Sequence, residues 1–205
     1  MDLQQFWDIL YQNILETTVL EIIAVIFGLL SVWYSKKVNI LVYPTGIVSV
    51  VIYVYICLGA KLYADMGINF VYFVMSIYGW YHWTRKNSHK RILPISICSK
   101  KENIINILMF LFFFVVLSYI LTNYTDSNVP YWDSLTTSIF IIGMWLMAKK
   151  KVENWILWII GDIISIPLYF YKGLVLTSLQ FTVFLVIAVL GYIAWKKRYE
   201  EEKIA

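Results

Sequence analysis

Charge is scarce in this chain. Only 15% of its 205 residues are Asp, Glu, Lys or Arg, while 60% are hydrophobic. A water-soluble domain carries about 25% charged residues. Cysteine is rarer still: Cys57 and Cys98 are the two present, too few for a disulfide framework or a metal cluster. The two histidines, His82 and His89, flank one basic loop and do not stand at metal-ligand spacing. No HExxH, GxSxG or GxxxxGK[ST] stretch occurs, which removes zinc hydrolysis, a serine nucleophile elbow and ATP-driven work from the leading readings. The net charge of +4 comes from short clusters between apolar runs, so it does not point to nucleic acid. The N-terminus lacks a basic stretch and carries Asp2, Asp8 and Glu16, so no cleavable signal peptide is expected.

What the chain does have is apolar runs of about 20 residues, the length that crosses a bilayer. The expected class is an all-α membrane protein with seven transmembrane helices. The spans are expected at 19–34, 38–58, 62–83, 104–121, 132–148, 154–171 and 175–195. Residues 1–17 have Phe6, Trp7, Leu10, Tyr11, Ile14 and Leu15 at helical spacing and read as an interfacial amphipathic helix. Residues 18–101 form a first three-helix unit with a basic loop, 102–130 a linker helix, 131–198 a second three-helix unit, and 199–205 a tail. Fifteen of the seventeen Lys and Arg fall on one side of this arrangement, leaving Lys61 and Lys172 on the other. The positive-inside rule then places the N-terminus outside and the C-terminus in the cytoplasm.

The two units echo each other. At a separation of 115, Gly28 meets Gly143, Lys36 meets Lys151, Asn39 meets Asn154, Tyr43 meets Trp158 and Gly46 meets Gly161. After slippage to 112, Gly79 meets Gly191 and Trp83 meets Trp195. Three spans, a linker and three more spans give a 3+1+3 parallel repeat, an arrangement that places a site at the repeat interface near mid-membrane.

The residues with chemistry cluster in the sixth span. Lys149 to Gly173 reads KKKVENWILWIIGDIISIPLYFYKG. Trp155, Trp158 and Asp162 are three and four residues apart and share one helical stripe. A carboxylate within a bilayer is costly and should face a cavity or a polar neighbour. Beside indole faces it suits a flat aromatic cation. Trp155 also reads as an interfacial anchor, and Asp162 as a partner for a neighbouring helix. In the third span Asn69, Tyr72 and Ser76 form a second stripe, offering hydroxyl recognition or helix–helix glue. Gln180 in the seventh span has the same two readings. At the start of the fifth span, Asp133 either complements the helix dipole or shares an outer vestibule with Trp132, with Thr136, Thr137 and Ser138 deeper in. Pro167 should kink the sixth span.

At IYGWYHW (77–83), PYWDS (130–134) and KKVENWILWIIGDIISIPLYFYKGL (150–174) the chain resembles the PnuC family of bacterial vitamin uptake carriers. The resemblance runs from about Glu21 to Trp195. It implies a fold like that of the SWEET sugar carriers. It also implies import of an unphosphorylated vitamin, most often nicotinamide riboside, by facilitated diffusion across the bacterial cytoplasmic (inner) membrane. It further implies that an intracellular kinase traps the product. Thiamine, carried by sister proteins, is the close rival. By the same resemblance Trp155, Trp158, Asp162 and Asn69 bind substrate; family members often carry Asn in place of Asp162 and Gln in place of Asn69. No cofactor is implied, and homo-oligomers remain open. A carrier thus leads over an intramembrane enzyme or a structural membrane protein.

Overall fold

The computed structural model describes residues 3–59, 63–85 and 93–204. Lys61, Lys86, His89, Lys90 and Arg91 lie outside them. The described residues form helices and no strand beyond one isolated bridge. The helices are α1 (Leu3–Glu16), α2 (Val19–Lys36), α3 (Val42–Gly59), α4 (Tyr63–Thr84), α5 (Lys100–Tyr124), α6 (Pro130–Ala148), α7 (Glu153–Tyr171) and α8 (Val175–Ile204). Five of them, α2, α3, α5, α7 and α8, are long and apolar enough to cross a membrane. With the family evidence given below, this makes the chain a multi-pass membrane protein. Helices α4 and α6 are 22 and 19 residues long. They carry the polar stripes, with Asp65 and Asn69 on one and Asp133 to Ser138 on the other, which lowers their hydropathy.

Helix starts follow local chemistry. Thr18 and Glu21 form a capping box on α2, with the Thr18 N–H donating to Glu21 Oε2 at 2.6 Å. Ser99 and Glu102 do the same on α5, which moves its start four residues ahead of the expected span. Helix α8 runs on past the apolar stretch to Ile204, and its exposed last turns pair Lys197 with Glu201 and Arg198 with Glu202. Helix α7 continues through Pro167.

Packing pairs α2 with α3 and α3 with α4, and likewise α6 with α7 and α7 with α8; the two sets meet through α4 against α6 and α2 against α8. Helix α5 packs on α6 and leaves Ile107, Leu108, Phe112 and Val115 exposed.

Contacts recur at a constant separation of 112 residues. Val38 and Lys150 both have positive φ, 55° and 52°. Around them the turn bonds repeat: the Asn39 N–H donates to Tyr34 O and the Lys151 N–H to Leu146 O, each at 2.9 Å. Lys37 sits over the Trp33 ring and Lys149 over the Trp145 ring. Tyr43 meets Trp83 edge-on at 5.2 Å, and Trp155 meets Trp195 edge-on at 5.7 Å. These contacts of α2–α4 thus recur in α6–α8 at a separation of 112. The expected equivalences at 115, such as Lys36 with Lys151 and Tyr43 with Trp158, give way to Asn39 with Lys151 and Tyr43 with Trp155.

The main core cluster gathers Val42, Tyr43, Trp83, Ile95, Met147, Val152, Trp155, Ala188 and Trp195 at the lysine-rich end. The segment before α5 seals it from that side. The Ser96 N–H donates to Lys150 O at 3.0 Å, and the Val152 N–H to Ser96 O at 2.9 Å. Both cysteines are free thiols. Burial, with Glu153 beside it, pushes the Cys98 thiol up to about 12, so it is a poor nucleophile at neutral pH.

Candidate functional site

A cavity of about 320 Å³ lies between the two three-helix sets, within the range of small-molecule sites. A larger recess, about 520 Å³, sits between α5, α6 and α7. Its wall is apolar except for Asn103, Asn106 and Glu153, and it includes the exposed Ile107, Ile156 and Ile160. It faces away from the bundle interior, and the polar groups converge on the smaller cavity instead.

Helix α7 gives this cavity Trp158, Asp162 and Tyr169; α4 gives Asp65, Ile68, Asn69 and Tyr72; α6 gives Thr136, Thr137 and Phe140. Helix α8 contributes Phe181, Phe184 and Ala188, and α2 contributes Gly28, Ser31 and Val32. Of the residues singled out in the sequence, Trp158, Asp162, Asn69, Tyr72, Thr136 and Thr137 thus come together. Four others do not reach the wall. Trp155 is 1% exposed and packs in the core below, its ring against Gly191 and Trp195. It shares the stripe with Asp162 but lies seven residues away, about 10 Å along the axis. Ser76 is buried near Gly46. Gln180 is set against Tyr53 of α3. Trp132 is 54% exposed at the start of α6.

Asp162 is 2% exposed and has no hydrogen bond or ion pair among the described residues. An unpaired carboxylate in a low-dielectric interior needs a proton or a cationic partner. Beside it the Trp158 ring stacks on Phe140 at 5.3 Å and 23°, and Phe140 stacks on Phe181 at 5.9 Å and 10°. Phe181 continues to Tyr169 at 5.0 Å and 14°. This is an aromatic wall with a carboxyl group set in it. The opposite side is polar: Asn69 donates from Nδ2 to Asp65 O at 2.9 Å, leaving its carbonyl oxygen free to accept. Asp65, exposed, stands at the lysine-poor mouth.

At that end Lys172 pairs with Asp133 at 2.6 Å, joining α7 to α6, and Ser127 Oγ donates to the other Asp133 oxygen at 2.7 Å. Asp133 therefore does more than complement the helix dipole. Among the described residues no Lys or Arg lines the cavity, while two carboxyl groups do. Its field favours cations.

Around the cavity, residues 112 apart differ in size and polarity. Gly28, Ser31, Gly46 and Ser49 on one side correspond to Phe140, Gly143, Trp158 and Gly161 on the other. On the second side Trp158 fills the space over Gly143 and Phe140 fills that over Gly161. On the first side Gly28 and Ser31 leave the space open, and they line the cavity. Val50 corresponds to Asp162, and Asn69 to Phe181. One unit supplies rings, the other room and polarity.

Asp65 was legible as an earlier member of the Asn69–Tyr72 stripe, one turn away. Phe140, Phe181 and Phe184 carried no signal, because an apolar ring lining a cavity has the same sequence character as one facing lipid.

Residues 18–197 match the family model described as nicotinamide mononucleotide transporter. The chain is 27% identical over 201 residues to a nicotinamide riboside transporter PnuC of Escherichia coli (strain K12), covering 86% of this chain and 84% of the relative. It is 27% identical over 189 residues to one of Neisseria mucosa, covering 85% and 71%. A solved crystal structure of the vitamin B3 transporter PnuC superposes with a TM-score of 0.73 at 24% identity, over 97% of this chain and 90% of that one. That likeness carries the fold.

Proposed function

The chain belongs to the nicotinamide mononucleotide transporter family, and from that premise we propose that it imports nicotinamide riboside by facilitated diffusion. The observation that carries this is Asp162, buried and unpaired in the wall of a cavity beside the Trp158 ring. The pyridinium supplies the missing positive partner and stacks on the indole. Asn69, Tyr72 and Thr137 face the ribose. Trp155, Ser76 and Gln180 support the wall from outside it.

The acidic lining also favours the nucleoside over its phosphate ester. Among the described residues that line it, a phosphate entering this cavity would meet Asp162 and Asp65 and no Lys or Arg. Phosphorylation by a cytoplasmic kinase therefore makes a product that the same cavity rejects, which traps it inside. We read α2 to α8 as seven spans in a SWEET-like three-one-three parallel repeat; the contacts recurring at 112 residues support this. The basic helix ends place the C-terminus in the cytoplasm and the N-terminus outside, in a bacterial inner membrane.

Thiamine is also a flat aromatic cation, so charge and stacking do not separate the two. Titration of the purified protein with nicotinamide riboside, thiamine, riboflavin and nicotinamide mononucleotide, followed by tryptophan quenching, decides. The expected order puts nicotinamide riboside first and the mononucleotide at least about tenfold weaker. Equal binding of the mononucleotide would remove the electrostatic argument.

A further inference from the structure

The cavity floor at the lysine-rich end is built twice from the same parts. Tyr43 lies against Gly79 and meets Trp83 edge-on at 88°; Trp155 lies against Gly191 and meets Trp195 edge-on at 83°. Each set belongs to one three-helix unit. The two sets then meet, with the Trp83 and Trp195 rings 6.0 Å apart. Each indole N–H crosses to the other unit. Trp83 Nε1 donates to Met147 O at 3.2 Å, and Trp195 Nε1 donates to Ser35 O at 2.9 Å. Ser35 and Met147 are themselves 112 residues apart, and Ser35 Oγ contacts Met147 Sδ at 3.2 Å. Trp195 is 0% exposed and Trp83 4%.

We propose that Trp83 and Trp195 are the cytoplasmic gate of this carrier, and that inward release requires both cross-unit indole bonds to break. The inference rests on the import reading above. The bonds inside each unit survive when one unit rocks against the other, which is how repeat-built carriers alternate their access. The glycine sockets lie within the units, so each tyrosine or tryptophan moves with its own partner. The two crossing bonds do not survive that motion.

The closed state is also not fully satisfied. Tyr43 Oη and Trp155 Nε1 are buried with no hydrogen-bond partner among the described residues. Opening hydrates both. Two bonds favour closure, and the hydration of two orphaned polar groups offsets part of the cost of breaking them.

One half carries a further restraint. Lys150 is 5% exposed; its Nζ donates to Leu93 O at 3.0 Å and lies 4.5 Å from the Trp83 ring centroid. Its counterpart at 112 residues is Val38, with no charge. Lys150 therefore pins Trp83 and not Trp195.

The test uses Ser31→Cys, which lines the cavity, in a Cys57→Ala/Cys98→Ala background. A membrane-impermeant maleimide is applied to either face of reconstituted vesicles. Trp83→Phe and Trp195→Phe, which keep an aromatic ring but lose the indole N–H donor, should each speed cytoplasmic labelling about fivefold, the weight of one buried hydrogen bond. External labelling should fall in step. Lys150→Met should act in the same direction and add little to Trp83→Phe; it also serves if a tryptophan variant fails to fold. Unchanged cytoplasmic labelling, or a rise from both faces, would overturn the gate. Nicotinamide riboside binding by the same samples is read separately. Binding with unmoved labelling sinks the gate alone, while moved labelling without binding sinks the import reading alone.

Discussion

Asp162→Ala is expected to cut nicotinamide riboside uptake about a hundredfold or more, with the protein still reaching the membrane at its usual level. The size follows from breaking a buried charge pair, which costs about 3–5 kcal/mol. That loss falls on the complex, because the free protein has no partner for Asp162 among its described residues. Removing an unpaired buried carboxylate should leave stability unchanged or raise it. This separates the two roles that the sequence left open. A carboxylate that glued α7 to a neighbour would take the folded protein with it when removed. Asp162→Asn keeps the shape and loses the charge, and it should retain part of the uptake. Full uptake by the alanine variant would end the charge argument.

The second large effect concerns packing. Gly161 lies directly against Phe140, and a methyl group there would overlap the ring. Phe140 is 8% exposed and held between the Trp158 and Phe181 rings. It has one open direction, into the cavity whose wall it forms. Gly161→Ala should therefore cost about 1–3 kcal/mol in stability. It should also weaken nicotinamide riboside binding about tenfold or more, because a displaced ring takes the stacking surface with it. Adding Phe140→Leu should restore most of the stability and part of the binding. Thermal melts and tryptophan quenching on the three variants check this. Wild-type binding by Gly161→Ala alone would show that the Phe140 ring takes no part in holding the substrate.

Much of the helix placement could be read from apolar run lengths and basic clusters, since a bilayer constrains both. The same holds for Trp158, Asp162, Asn69 and Tyr72, because a polar or ionisable group inside an apolar run is conspicuous. What a stripe does not state is height along the helix. Trp155 and Asp162 share a face, yet one lies in the floor and the other in the cavity. Trp132 could not be placed from its neighbours alone: it stands exposed at the start of α6, outside the cavity lining. The repeat register slipped for an instructive reason. Letter matches such as Gly28 with Gly143 suggested 115, whereas the contacts run at 112, with Gly28 opposite Phe140 and Ser31 opposite Gly143. The two units differ most around the cavity, so identity misaligns them there. The floor, built of Tyr43, Gly79 and Trp83 against Trp155, Gly191 and Trp195, keeps its composition because it packs the same way twice.

The account turns on a positive guest answering a solitary negative charge beside stacked rings. Nicotinamide riboside and its reduced dihydro form have nearly the same shape, and only the first is a cation. Their dissociation constants on the purified wild-type protein, measured side by side, test the claim most directly. The cation should bind about tenfold or more tightly, and that advantage should vanish in Asp162→Ala. Equal affinity for the two forms in the wild-type protein would contradict it.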